Sequence, residues 1–152
     1  MIETLQILPQ TLTSNTDNIN FTTTDVKTRS ATCCGWLQHM NGGSDFTIIG
    51  GGRFKVTFNA NVSSDVAGTI ALALKSSTGT DVEGTETDTV IATAGDYMNV
   101  SFTKILEVCP RVNTTVAIGS LATLGGVTPA VPTVANPIIK DGNLIIEKLS
   151  GN

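Results

Sequence analysis

From Ile48 to Leu74 the chain reads I-I-G-G-G-R-F-K-V-T-F-N-A-N-V-S-S-D-V-A-G-T-I-A-L-A-L, and this stretch decides the fold. A glycine turn leads into Phe54, Val56, Phe58, Ala60 and Val62, all at even positions. A polar link from Ser63 to Gly68 follows, after which Ile70, Leu72 and Leu74 alternate with Thr69, Ala71 and Ala73. Period-two alternation of this length predicts strands with one face buried and the other wet. A helix would repeat its apolar residues every three or four positions, and that spacing is absent. The stretch is expected to form the central antiparallel pair of a β-sandwich, with the remaining strands laid beside it.

Composition agrees. A chain of 152 residues is long enough to bury a core and most simply forms one domain. Hydrophobic residues make up 40% and charged residues only 14%, so the wet faces must carry Thr, Ser and Asn. Threonine favours strands because its branched Cβ fits a pleated surface. Low charge also leaves uncharged surface that a partner can bury. The formal net charge of −4, with no basic run, argues against nucleic-acid binding, which needs clustered Lys and Arg. No segment approaches the apolar length of a membrane helix, so no membrane insertion is expected. The start, Met1-Ile2-Glu3-Thr4, has neither a positive n-region nor an apolar h-region, and synthesis in a host cytoplasm without a signal peptide is expected. Three cysteines, Cys33, Cys34 and Cys109, do not make a paired framework and are expected as reduced, mostly buried thiols.

Outward from the deciding stretch, Leu5, Ile7 and Leu8 suggest a short strand stopped by Pro9, and residues 1–30 are expected as an outer strand or an arm preceding a domain over 31–152. Cys34 to Met40 suggests a strand around Trp36, followed by an Asn41-Gly42-Gly43 turn. Phe46 and Ile48 lead to the Gly50-Gly51-Gly52 turn, which lacks the Lys-Ser/Thr and helix of a phosphate loop. Turns are expected at Ser76–Gly79, Ala94–Asp96 and Asp141-Gly142. Thr85–Thr93 and Asn113–Ala122 read as strands. Tyr97–Val108 reads as a long strand with a bulge where the phase blurs at Lys104-Ile105-Leu106. The Pro- and Gly-rich run 124–137 reads as a loop, and Asn143–Leu149 as a final buried strand.

No residue set announces catalysis. His39 is the sole histidine, and nothing near it forms the sharp nucleophile turn of a Ser-His-Asp site. Cys33, Cys34, Cys109 and His39 supply four zinc-ligating side chains, but adjacent cysteines suit tetrahedral geometry poorly. Asp81, Glu83, Glu86 and Asp88 are oxygen donors of the kind calcium takes, yet such carboxylates more often protect an edge strand. Neither a metal nor a cofactor is expected, and the chain does not read as an enzyme.

Taken together, the order of elements over about residues 46–149 resembles the tumour-necrosis-factor/C1q-like family. The pattern is carried by Gly52-Arg53-Phe54-Lys55-Val56-Thr57-Phe58, by Ile70 to Leu74 with Thr78-Gly79 and Val82-Glu83-Gly84-Thr85, and by Leu144-Ile145-Ile146. The resemblance implies an all-β, antiparallel, two-sheet jelly roll of ten strands that assembles as a homotrimer, one sheet lining the threefold axis. Phe54 stands where the family commonly has Tyr, and no collagen-like stalk is present. The chain looks more like the short versions in bacteriophages and prophages of Gram-positive bacteria, which resemble head-fibre or capsid-decoration proteins.

That likeness implies a non-enzymatic structural protein on the surface of a virion, bound to a major capsid protein. Phe54, Val56, Phe58, Val100, Phe102, Leu144 and Ile146 are the expected trimer core, and Leu5, Ile7, Leu8 and Trp36 the candidate partner contacts, with 1–30 the candidate capsid anchor. The alternative is a receptor-binding module or adhesin that reads host-surface glycans. The scarcity of aromatics, 5%, with Trp36 and Tyr97 as the sole Trp and Tyr, counts against it.

Overall fold

The computed structural model describes residues 1–6, 8–13, 17–27, 35–121 and 135–150. These contain eleven strands: β1 (Ile2–Gln6), β2 (Gln10–Thr11), β3 (Thr23–Lys27), β4 (Leu37–His39), β5 (Phe46–Ile48), β6 (Gly52–Ser63), β7 (Gly68–Ser76), β8 (Thr87–Ile91), β9 (Met98–Val108), β10 (Thr114–Ser120) and β11 (Ile138–Ser150). All pair antiparallel. One sheet has the order β3-β1-β11-β6-β9, with β2 beside the start of β11, and the other β4-β5-β10-β7-β8. The alternation of β6 holds in full: Phe54, Val56, Phe58, Ala60 and Val62 are fully buried between the sheets.

The expected pairing of β6 with β7 does not form. Both edges of β6 are occupied along nearly its whole length, one by β11 and the other by β9. Residues 64–67 therefore carry the chain across to the opposite sheet, where β7 pairs with β10 and β8. The two strands meet face to face instead of edge to edge. Nor is the second face of β7 wet, because Thr69, Ala71, Ala73 and Lys75 are buried along with Ile70, Leu72 and Leu74.

Two other expectations give way to pairing. β9 runs in unbroken register with β6, so no bulge forms at Lys104-Ile105-Leu106. Lys104 keeps the inward phase, and its ammonium donates to the Glu83 carbonyl oxygen at 2.7 Å. A long aliphatic stem reaching a polar group lets a lysine occupy such a position at a sheet edge. Asp141-Gly142 is not a turn, since β11 continues through it, held by β6 on one side and, at Gly142, by Gln6 of β1 on the other. The irregularity shrinks to a register shift between Ile139 and Asp141. The triple-glycine turn does form. A Cβ on Gly51 would lie 2.8 Å from backbone atoms of Pro110, so only glycine allows that close approach.

The core is continuous across the sandwich. Phe21, Phe46, Phe54 and Phe58 are fully buried, and each stabilises the fold by roughly 1.5–3 kcal/mol through removal from water. Phe58 meets Phe102 at 5.6 Å between ring centroids, and Trp36 meets Phe54 at 5.3 Å. Ile2, Leu12, Ile19 and Phe21 belong to the same buried cluster. Residues 1–30 are thus no separable arm before a domain at 31: β1 lies inside the first sheet, between β3 and β11. Ile7 and Cys33-Cys34 lie outside the described residues, as does 122–134 of the expected loop. Cys109 is exposed instead of buried, because it sits just past β9 in the turn with Pro110.

Two predictions follow from β1. Deleting residues 1–12 removes Ile2 and Leu12 from the core and bares one edge of β11, so the product is expected to lose cooperative unfolding in a denaturant titration monitored by circular dichroism. Gln6 is 2% exposed, and among the described residues neither of its amide atoms has a hydrogen-bond partner. A buried polar group without a partner costs about 1–3 kcal/mol. Gln6→Met is therefore expected to raise the denaturation midpoint at unchanged m-value; a lower midpoint would show that the amide is satisfied in solution.

Candidate functional site

Strand pairing in the first sheet decides what its outer face presents. With the even residues of β6 turned inward, the odd ones face out, and the antiparallel register aligns them with the outward residues of β9, β11 and β1. One row crosses the sheet as Glu3, Ile145, Thr57 and Thr103. The next crosses as Leu5, Asn143, Asn59 and Ser101. Lys55 stands between Glu147 and Ile105, and Asn61 between Asp141 and Asn99.

Short polar side chains on this face bond to one another. Asn99 Nδ2 donates to Asn59 Oδ1 at 3.1 Å, to Asn61 Oδ1 at 3.2 Å and to the Ala60 carbonyl oxygen at 3.2 Å. Thr103 Oγ1 donates to Thr57 Oγ1 at 3.4 Å. Asn143 Nδ2 donates to Glu3 Oε1 at 2.7 Å. Lys55 pairs with Glu147 at 3.4 Å, a half-exposed ion pair worth no more than about 1 kcal/mol. These bonds fix the side chains in place and leave a strip without formal charge over β6 and β9, from Thr57 to Asn61 and from Asn99 to Thr103. Apolar side chains border it: Leu5 and Ile145 are half-buried, and Ile105 is 46% exposed.

The expected trimer core lies elsewhere. Phe54, Val56, Phe58, Leu144 and Ile146 are fully buried within one protomer, Val100 is 3% exposed, and Phe102 is half-buried against Phe58. They fill the space between the two sheets, and all but Phe102 have essentially no surface left for a second copy. The alternation that revealed these residues also holds the outward set in its other phase, and Thr57, Asn59, Asn61 and Ile145 are legible there once both faces are read. Of the candidate contacts, Leu5 is on the outer face, Leu8 is exposed beyond β1, and Trp36 is half-buried against Phe54 in the sandwich.

His39 is packed as a flat ring. It stacks on Phe46 at 4.1 Å with planes 5° apart, and its Nδ1 lies 3.2 Å from the Asp45 carbonyl oxygen. Among the described residues no three of His, Cys, Asp and Glu gather as a metal site.

No protein-family model matches the chain, and no curated protein matches its sequence. Solved structures do. The globular domain of zebrafish complement 1qA superposes with a TM-score of 0.66 at 13% identity, covering 99% of this chain and 98% of that one. The Eiger TNF of S. frugiperda gives 0.62 at 11% identity, covering 99% and 94%. Together with the two antiparallel sheets and their order, these similarities give the chain the jelly-roll fold of the C1q and tumour-necrosis-factor domains.

Proposed function

We propose that the protein is a non-enzymatic structural component of a bacteriophage particle, a homotrimer that decorates the capsid with its jelly roll facing outwards. The observation that carries the assembly is the outer face of the first sheet. Its central strip is uncharged, its side chains are already hydrogen-bonded within the protomer, and Ile145, Leu5 and Ile105 supply apolar contact. Burying such a face against a copy removes apolar area from water, with Glu3 held by the Asn143 amide and Lys55 paired with Glu147 at its border. Closed threefold symmetry then uses the face once on each protomer and stops growth. The capsid role extends the resemblance drawn from the sequence motifs, and the low charge, 14%, suits a chain packed beside its neighbours.

In light scattering the purified protein is expected at three times the 15.8 kDa of one chain over a wide concentration range. Ile145→Arg places three like charges at the interface and is expected to yield a folded monomer with an unchanged circular dichroism spectrum. A wild-type mass of one chain at all concentrations refutes the trimer. The capsid role is tested by co-sedimentation with capsids of the phage that encodes the protein, prepared without it. Saturable binding of trimers is the expected result, and protein left wholly in the supernatant overturns the assignment.

A further inference from the structure

The outer face of the second sheet brings a lysine, an asparagine and an aspartate together around one glycine. Lys75 of β7 stands between Ala117 of β10 on one side and Asp81 on the other. Asn18 bridges Gly119 from the far edge of β10. A Cβ on Gly119 would land on Asn18 Oδ1 and lie 2.8 Å from both Cδ and Cε of Lys75. The missing side chain is therefore what lets the lysine stem and the asparagine amide converge above β10.

Burial sets the chemistry of this grouping. Lys75 is 7% exposed, and its ammonium lies 3.9 Å from Asp81 Oδ1. Asn18 Oδ1 and Asp81 Oδ1 are buried, and among the described residues neither accepts a hydrogen bond. As an ion pair the arrangement gains little, because charges taken out of water need closer and better-bonded partners than this. It suits a condensation instead. An amine, a carboxamide and a carboxylate gathered away from bulk water are the nucleophile, the acyl group and the base of an amide exchange, and fixed proximity takes the place of collision.

We propose that Lys75 and Asn18 join in an intramolecular isopeptide bond, with Asp81 as the base. The Asp81 carboxylate takes one proton from the Lys75 ammonium, which removes both charges from the site and frees the Nζ lone pair. Nζ forms a bond to Asn18 Cγ, and Oδ1 takes up the displaced carbonyl electron pair. The carbonyl re-forms as the Cγ–Nδ2 bond breaks, and Nδ2 leaves as ammonia with a second proton from Nζ. The ammonia accepts the Asp81 proton and departs as ammonium, so the carboxylate is restored and nothing is oxidised or reduced. A cavity of about 420 Å³ lined by both Asn18 and Lys75 gives it an exit. The product ties the segment before Phe21 to β7 across β10 and closes a loop from residue 18 to residue 75. Such a cross-link restricts the unfolded chain as a disulfide does. The bond forms within one protomer and does not depend on the proposed trimer.

The test is mass spectrometry of the full chain, intact and after digestion with trypsin. The intact mass is expected to fall below that of the sequence by one ammonia, and the digest to hold a branched peptide joining Asn18 to Lys75, uncleaved after Lys75. Asn18→Ala and Lys75→Met are each expected at the full mass of their own sequences. Their circular dichroism spectra are expected to match the wild type, with a melting midpoint lower by roughly 10 °C, the order for opening a closed loop. Asp81→Asn is expected to fold and to stay unlinked. If a variant does not fold, the wild-type peptide map decides alone. The proposal is overturned by a wild-type chain of full mass with Lys75 cleaved, or by a complete link in Asp81→Asn. Loss of ammonia without the branched peptide, as succinimide formation at Asn41-Gly42 would give, overturns it equally.

Discussion

The hydrogen-bond ladder on both edges of β6 is the constraint from which the rest of the molecule follows. With β11 on one side and β9 on the other, β6 has no edge left, so its register is pinned from two directions. A slip of one residue would turn Phe54, Val56 and Phe58 out to water and bring Lys55, Thr57 and Asn59 into the core. One ladder therefore sets two surfaces at once: the apolar inner face that joins the sheets and the polar outer face of the first sheet. It also forces the chain to leave the sheet after Ser63, which places β7 opposite β6 and creates the sandwich.

Much of this was legible in the sequence, for a physical reason. Side-chain alternation reports which face of a strand is buried, and β5, β6, β9 and β10 appear close to where alternation puts them. It does not report which strand lies alongside. That is why β6 and β7 read as a pair when they are partners across the core. Burial on one face is equally silent about what does the burying, so Phe54 and Leu144 looked as fit for a trimer core as for the protomer core they form. Local turn chemistry was overruled where pairing was strong: Asp141-Gly142 would turn in isolation, but β6 holds the strand straight through it. The cavity by Lys75 left no local signal at all. Its parts come from residues 18, 45, 75 and 115–117, which only the sheet brings together.

The two outer faces of the sandwich are built on opposite plans. The first sheet presents Asn and Thr side chains long enough to reach one another and close a level surface. The second is covered in part, with Ala71 and Ala73 buried beside Leu121 in a small cluster of their own. The jelly roll permits this difference because its main core lies between the sheets, leaving each outer face free to vary.

The pairing of β1 with β11 has a consequence for how the chain reaches this state. Ile2 lies opposite Ile146, so the first strand gains its partner only when the eleventh has been made. Until then β1 has just β3 beside it, β6 has just β9, and the centre of the first sheet is missing. A nascent chain on the ribosome thus carries two open strand edges and an uncovered apolar face through nearly all of its synthesis. Completion waits on contacts between the most distant parts of the sequence, which makes folding slow and leaves the incomplete chain prone to association. The closing of β11 between β1 and β6 is therefore the event that separates folding from aggregation.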